Sequence, residues 1–110
     1  MKTGYVNGYQ WFKGANAVEN WNILSKASQK YWFFHLANRP SPYVIWTGKS
    51  MTKIIALELG FICISSTKYN AELVDYCQCS NVKKGDVVGE VFYKSNRKIK
   101  RVRVSKNISF

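Results

Sequence analysis

The sequence predicts an α+β fold, a single domain over residues 1–110 with a mostly antiparallel, twisted sheet of about six to seven strands and two helices. Three observations predict it. Asn7-Gly8 lies between two apolar-rich runs, the dipeptide that favours a tight hairpin. Two segments with helical spacing each follow a residue able to cap a helix. The remaining apolar runs are short, aromatic or β-branched, and bounded by turn residues.

In chain order, Thr3–Val6 and Tyr9–Lys13 are the strands of the hairpin, and Gly14 ends the second. Asn16 caps a helix predicted at Ala17–Gln29, with Glu19 three residues on as its reciprocal partner. The continuous aromatic run Tyr31–Leu36 reads as a strand covered on both faces. Asn38-Arg39-Pro40-Ser41-Pro42 is a turn, because two prolines remove backbone donors. Tyr43–Trp46 is a strand, ended by Thr47-Gly48. Ser50 is the expected cap of a second helix, Met51–Ser65, with Ile54, Leu57, Phe61 and Ile64 as its buried face. Glu72–Cys77 is a third central strand. Lys83-Lys84-Gly85-Asp86 is a basic loop, and Val87–Tyr93 with Lys100–Ser105 is a closing hairpin across Ser95-Asn96.

Composition narrows the function. Hydrophobic residues make up 46% of the 110 and aromatics 15%, enough for a packed core without metal or disulfides. Cys63, Cys77 and Cys79 are odd in number, and the spacing of the last two does not suit a structural zinc pair, so they read as reduced thiols. The opening residues carry no apolar signal region, and no apolar run reaches membrane-span length; a cytoplasmic location is expected. Lys and Arg total 17 against 6 acids, a formal net charge of +11. The excess is concentrated in Lys94–Lys106, where Lys94, Arg97, Lys98, Lys100, Arg101, Arg103 and Lys106 occur without an acid between them. Val102 and Val104 alternate with Arg101 and Arg103, as in a strand with one buried and one wet face. Cations held in a row on a strand attract and orient a polyanion: nucleic acid first, an anionic membrane surface second.

The order of landmarks adds a resemblance. Gly14-Ala15-Asn16-Ala17, Asn20, Lys26, Phe34-His35 and Tyr43-Val44-Ile45 occur in this sequence in turn, followed by Val74-Asp75-Tyr76, Ser80-Asn81-Val82-Lys83-Lys84 and Gly89-Glu90-Val91. Together they resemble the NFACT-R domain, found in NFACT proteins and as the core of a stand-alone, coiled-coil-containing group. Several polar family positions are aromatic here, including Trp21, Tyr31 and Tyr43, and Ala15 stands where the family often has a basic residue. The resemblance implies an RNA-binding part of the machinery that acts on stalled large ribosomal subunits and recruits tRNA.

Catalysis lacks a clustered set. The six acids, Glu19, Glu58, Glu72, Asp75, Asp86 and Glu90, are scattered over different elements, and His35 is the sole histidine. No metal, cofactor or phosphate loop is expected. His35 reads first as a structural residue and second as a ligand for phosphate or base beside Asn16 and Asn20. Most aromatics read as core. Trp21 and Tyr43 are the expected base-stacking platforms, flanked by Lys26 and Arg39 as phosphate binders. If the closing hairpin forms, Lys83 and Lys84 share a sheet edge with Arg97, Lys98, Lys100, Arg101 and Arg103. The expected protein is a non-catalytic module for structured RNA, tRNA or rRNA. A general DNA or polyanion binder and a ribosome-docking module are the alternatives.

Overall fold

The computed structural model describes residues 1–107; Phe110, which with the aromatic excess leaves a dimer open, lies outside them. Six strands make one antiparallel sheet in the order β1 (Lys2–Val6), β2 (Tyr9–Lys13), β4 (Val44–Trp46), β3 (Trp32–Leu36), β5 (Ala71–Gln78) and β8 (Lys100–Ser105). Helices α1 (Ala17–Lys26) and α2 (Lys53–Ser65) are the crossovers β2-α1-β3 and β4-α2-β5. Both crossovers step the same way across the sheet, but from strands of opposite direction. Right-handed connection therefore puts the two helices on opposite faces. A separate two-stranded ribbon, β6 (Val82–Lys84) with β7 (Val91–Tyr93), covers part of the α1 face.

Strand alternation divides the core accordingly. Phe34, Leu36, Val44, Trp46, Val74, Val102 and Val104 point to α2 and pack on Ala56, Leu59, Cys63 and Ile64. Phe33, Tyr43, Ile45 and Cys77 point to α1 and the ribbon. Both aromatic pairs of the Tyr31–Phe34 run thus find cover, as its unbroken apolar character predicts. The Asn7-Gly8 turn has positive φ at both residues, 51° and 81°, the mirror-image turn that matches strand twist. Among the described residues no helix is long and apolar enough to cross a membrane.

Five expectations are corrected. Helix α1 ends at Lys26, not Gln29, because Ala27 turns extended and the backbone is held instead by the bond from Tyr31 N–H to Ser28 C=O. Helix α2 is capped by Thr52, whose Oγ1 accepts from the Ile55 N–H at 3.2 Å, and not by Ser50. Its buried face is Ile55, Ala56, Leu59, Gly60, Cys63 and Ile64, while Ile54 is 67% exposed. The helix is apolar nearly all round, so periodicity does not select the face. Close approach does: a Cβ on Gly60 would lie 2.9 Å from Val104 Cγ1. Finally, β7 and β8 are not a hairpin. Strand β7 pairs with β6, and β8 crosses to the edge of the main sheet beside β5. Lys83 and Lys84 are strand residues of the ribbon rather than a loop.

Candidate nucleic-acid interface

Strand β8 is an edge strand whose Val102 and Val104 anchor it to the core while Arg101 and Arg103 turn outward, about 6–7 Å apart. The chain enters β8 through a short 3-10 turn, Asn96–Lys98. That turn is tied to a second 3-10 turn, Cys79–Asn81, which follows β5: Asn81 accepts from the Ser95 N–H and the Lys94 N–H, each at 2.9 Å, and donates from its side chain to Ser95 C=O. Lys94, Arg97, Lys98, Lys100 and Arg103 are therefore held on ordered backbone, all are exposed, and none is in an ion pair among the described residues. Arg101 differs, because its Nε lies 2.6 Å from Asp75 Oδ1 on the neighbouring strand. Lys106 donates to Thr67 C=O.

The second basic cluster is elsewhere. Because β6 pairs with β7, Lys83 and Lys84 do not share a sheet edge with the β8 row, which corrects that expectation. Lys84 reaches α1 instead: its ammonium donates to Ser25 Oγ and sits 5.2 Å from the Trp21 ring centroid. Trp21 is half-buried, and its indole N–H donates to Glu90 C=O at 3.0 Å. Lys26, exposed in the last turn of α1, is on the same helix. Trp21 with Lys84 is thus a small cation–aromatic patch, separate from the row. Arg39 is tied down, stacked 4.6 Å from the Tyr69 ring centroid with its Nε 2.8 Å from Glu72.

Two expected ligand groups are structural. Tyr43 is fully buried and cannot present its ring to a base. Its hydroxyl donates to Gly89 C=O, fastening the ribbon to the sheet. Asn20 is buried too; its Oδ1 accepts from the Tyr43 N–H at 3.0 Å and its Nδ2 donates to Ser41 C=O at 3.3 Å. It replaces a missing ladder partner at the start of β4. Asn16 spends its side-chain oxygen on the Glu19 N–H at 2.9 Å, and Glu19 reaches back to the Ala15 N–H at 2.9 Å.

His35 lies between two adjoining clefts on the α1 face. One, of about 560 Å³, includes Asn38, Arg39, Asp75, Glu90 and Tyr93; the other, of about 420 Å³, runs past Asn16, Ser41 and Gly89. Its ring meets Phe33 at 6.2 Å and Tyr43 at 5.4 Å between centroids. Burial pulls its pKa down to about 4, against the opposing pull of the Asp75 charge, so the imidazole is neutral at neutral pH. Asp75, directly opposite His35 in the β3–β5 register, was legible in the sequence only as a lone acid. The strand register that joins the two has no local signal.

The thiols are free and buried. Burial pushes Cys63 and Cys79 up to about 12 and Cys77 up to about 11, so none is a thiolate at neutral pH. No group of three or more metal-ligating side chains occurs among the described residues.

No protein-family model matches the chain, and no curated protein does. Its fold is similar to a solved structure of the C-terminal part of the fibronectin/fibrinogen-binding protein from Streptococcus suis, with a TM-score of 0.79 and 20% sequence identity. That match covers 94% of this chain and 43% of the other, so this chain spans less than half the length of its structural neighbour. At this identity the likeness establishes a shared α+β architecture.

Proposed function

We propose that this domain binds nucleic acid, structured RNA such as tRNA or rRNA before other polyanions, and that it does so without catalysing a reaction. The observation that carries the reading is the run of exposed cations free of ion pairs among the described residues, Lys94, Arg97, Lys98, Lys100 and Arg103, held along an edge strand and the turn leading into it. Phosphate contacts of this kind release counterions and supply affinity without reading sequence. The net charge of +11 adds long-range attraction. The preference for RNA, with the large ribosomal subunit as its setting, rests on the NFACT-R resemblance. Trp21 beside Lys84 offers a secondary contact for a base or sugar.

Filter binding of the purified chain to tRNA, single-stranded RNA and duplex DNA at two salt concentrations tests this. Tightest retention of tRNA, weakening steeply with salt, is expected. Equal, tight retention of duplex DNA indicates a general polyanion binder instead. A docking role on the ribosome is favoured by a different feature, the exposed Val18, Val87 and Val88 where the loop before Gly89 meets α1. Co-sedimentation with ribosomal subunits that persists in high salt distinguishes that role.

A further inference from the structure

We infer that the larger cleft beside β8 is a base-reading subsite that takes an unpaired guanine from the bound strand, with the Asp75 carboxylate accepting its two Watson–Crick N–H groups. The inference rests on the nucleic-acid reading above and names what the basic row alone cannot supply, a preference among bases.

The cleft's floor is a cross-strand pair, His35 of β3 and Asp75 of β5. Tyr93 of the ribbon forms one wall and Glu90 stands at the ribbon's edge. At about 560 Å³ it lies within the range of small-ligand sites, roughly 300–1,000 Å³. Its chemistry selects the occupant. A carboxylate offers about four acceptor positions, and Arg101 Nε uses one on Oδ1. Asp75 therefore has acceptor capacity left, and the buried end of a ligand must bring donors. Glu90 and Arg39 line the cleft too, but both are engaged: Glu90 Oε1 accepts from the Asp86 N–H at 3.0 Å and Arg39 is paired with Glu72. A phosphate finds a free cation close by in Arg103, which shares the face of Arg101, whereas Lys100 lies on the other face of the strand with Val102 and Val104. The ligand that satisfies both is a polynucleotide, with its backbone on the row and one base turned inward.

Among the bases, guanine presents two adjacent N–H donors, N1–H and N2–H, to a single carboxylate. Adenine and cytosine present one amino group, and uracil one imide N–H between two carbonyls. The His35 ring lies beside Asp75 on the cleft floor, its hydrogen bond made to the Leu36 backbone. Tyr93 supplies an aromatic wall for the inserted ring.

Fluorescence anisotropy with the full chain tests the subsite. The probes are labelled pentaribonucleotides of uridine with a central guanosine, inosine, adenosine, cytidine or uridine. Guanosine is expected to bind about tenfold tighter than uridine. Inosine keeps N1–H but lacks the N2 amino group and is expected to lose most of that margin. Asp75→Asn is expected to close the margin while leaving the uridine probe bound as tightly or more so, because it removes a negative charge. If that variant fails to give a cooperative melt, the inosine comparison on the unaltered protein decides. Binding of all five probes with equal affinity, or inosine equal to guanosine, overturns the guanine subsite and leaves backbone binding standing. Absence of binding to any pentamer and to tRNA at low salt overturns the nucleic-acid reading and this inference with it.

Discussion

His35 sits against Phe33 and Tyr43 with its pKa pulled from 6.5 to about 4, chiefly by burial. A group whose pKa is depressed on folding as a base contributes stability that is complete above its unfolded value and is lost as the pH falls toward the folded one. The window here is about pH 6.5 down to 4, and the loss is on the order of 2–3 kcal/mol. Urea unfolding at pH 7.5 and pH 4.5 is expected to show that loss in the natural protein and a clearly smaller one in His35→Gln. An equal acid loss in both contradicts the assignment. Asn20→Ala leaves the buried N–H of Tyr43 and the C=O of Ser41 without their partner and is expected to destabilise by about 2–3 kcal/mol, measured by the same unfolding. The exposed Asn16→Ala loses only a cap, at about 1 kcal/mol. Sequence reasoning placed Asn16, Asn20 and Tyr43 at the nucleic-acid site and read His35 first as structural and second as a ligand beside them. It read their polarity and spacing correctly, but whether an amide faces solvent or a neighbouring strand depends on contacts far along the chain, such as Asn20 with Tyr43 and Tyr43 with Gly89.

Elements defined by local chemistry were legible. The Asn7-Gly8 hairpin, the Asn16 cap and the alternation in β8 each depend on a few neighbouring residues. The cap of α2 shows where local reading becomes ambiguous, because Ser50 and Thr52 both carry a side-chain oxygen able to accept from a first-turn N–H. Thr52 takes the role. Thr52→Ala is expected to cost about 1 kcal/mol and Ser50→Ala under about 0.5, so a larger shift of the melting transition for Ser50→Ala contradicts the cap. The partner of β8 was not legible at all. Proximity in sequence favours β7, yet β8 lies on β5, where Val102 and Val104 cover Gly60 of α2 and Arg101 meets Asp75. A two-residue alternation specifies which face a strand buries but not which strand lies beside it.

For the molecule as a whole, the pairing error moves the lysines of β6 but leaves the charged row intact. Lys83 and Lys84 belong with α1 and Trp21, while Lys94 to Arg103 follow the far edge of the sheet. The excess of cations and its position in the chain were visible in the sequence. That Asp75 engages Arg101 and the Thr67 C=O engages Lys106 required the fold, and among the described residues it reduces the free row to five side chains, Lys94, Arg97, Lys98, Lys100 and Arg103. Five phosphate contacts correspond to a slope of log K against log salt of roughly −3.5 to −4.5. The most direct test is that slope, measured by tRNA titration across a salt series for the natural protein and for the combined variant Lys98→Ala, Lys100→Ala, Arg103→Ala, with far-ultraviolet circular dichroism confirming the fold of each. The account predicts that removing these three cations flattens the slope by roughly 2–3 and weakens binding at low salt by more than tenfold. An unchanged slope and affinity would contradict it, because the polyanion would then be held somewhere other than the β8 edge.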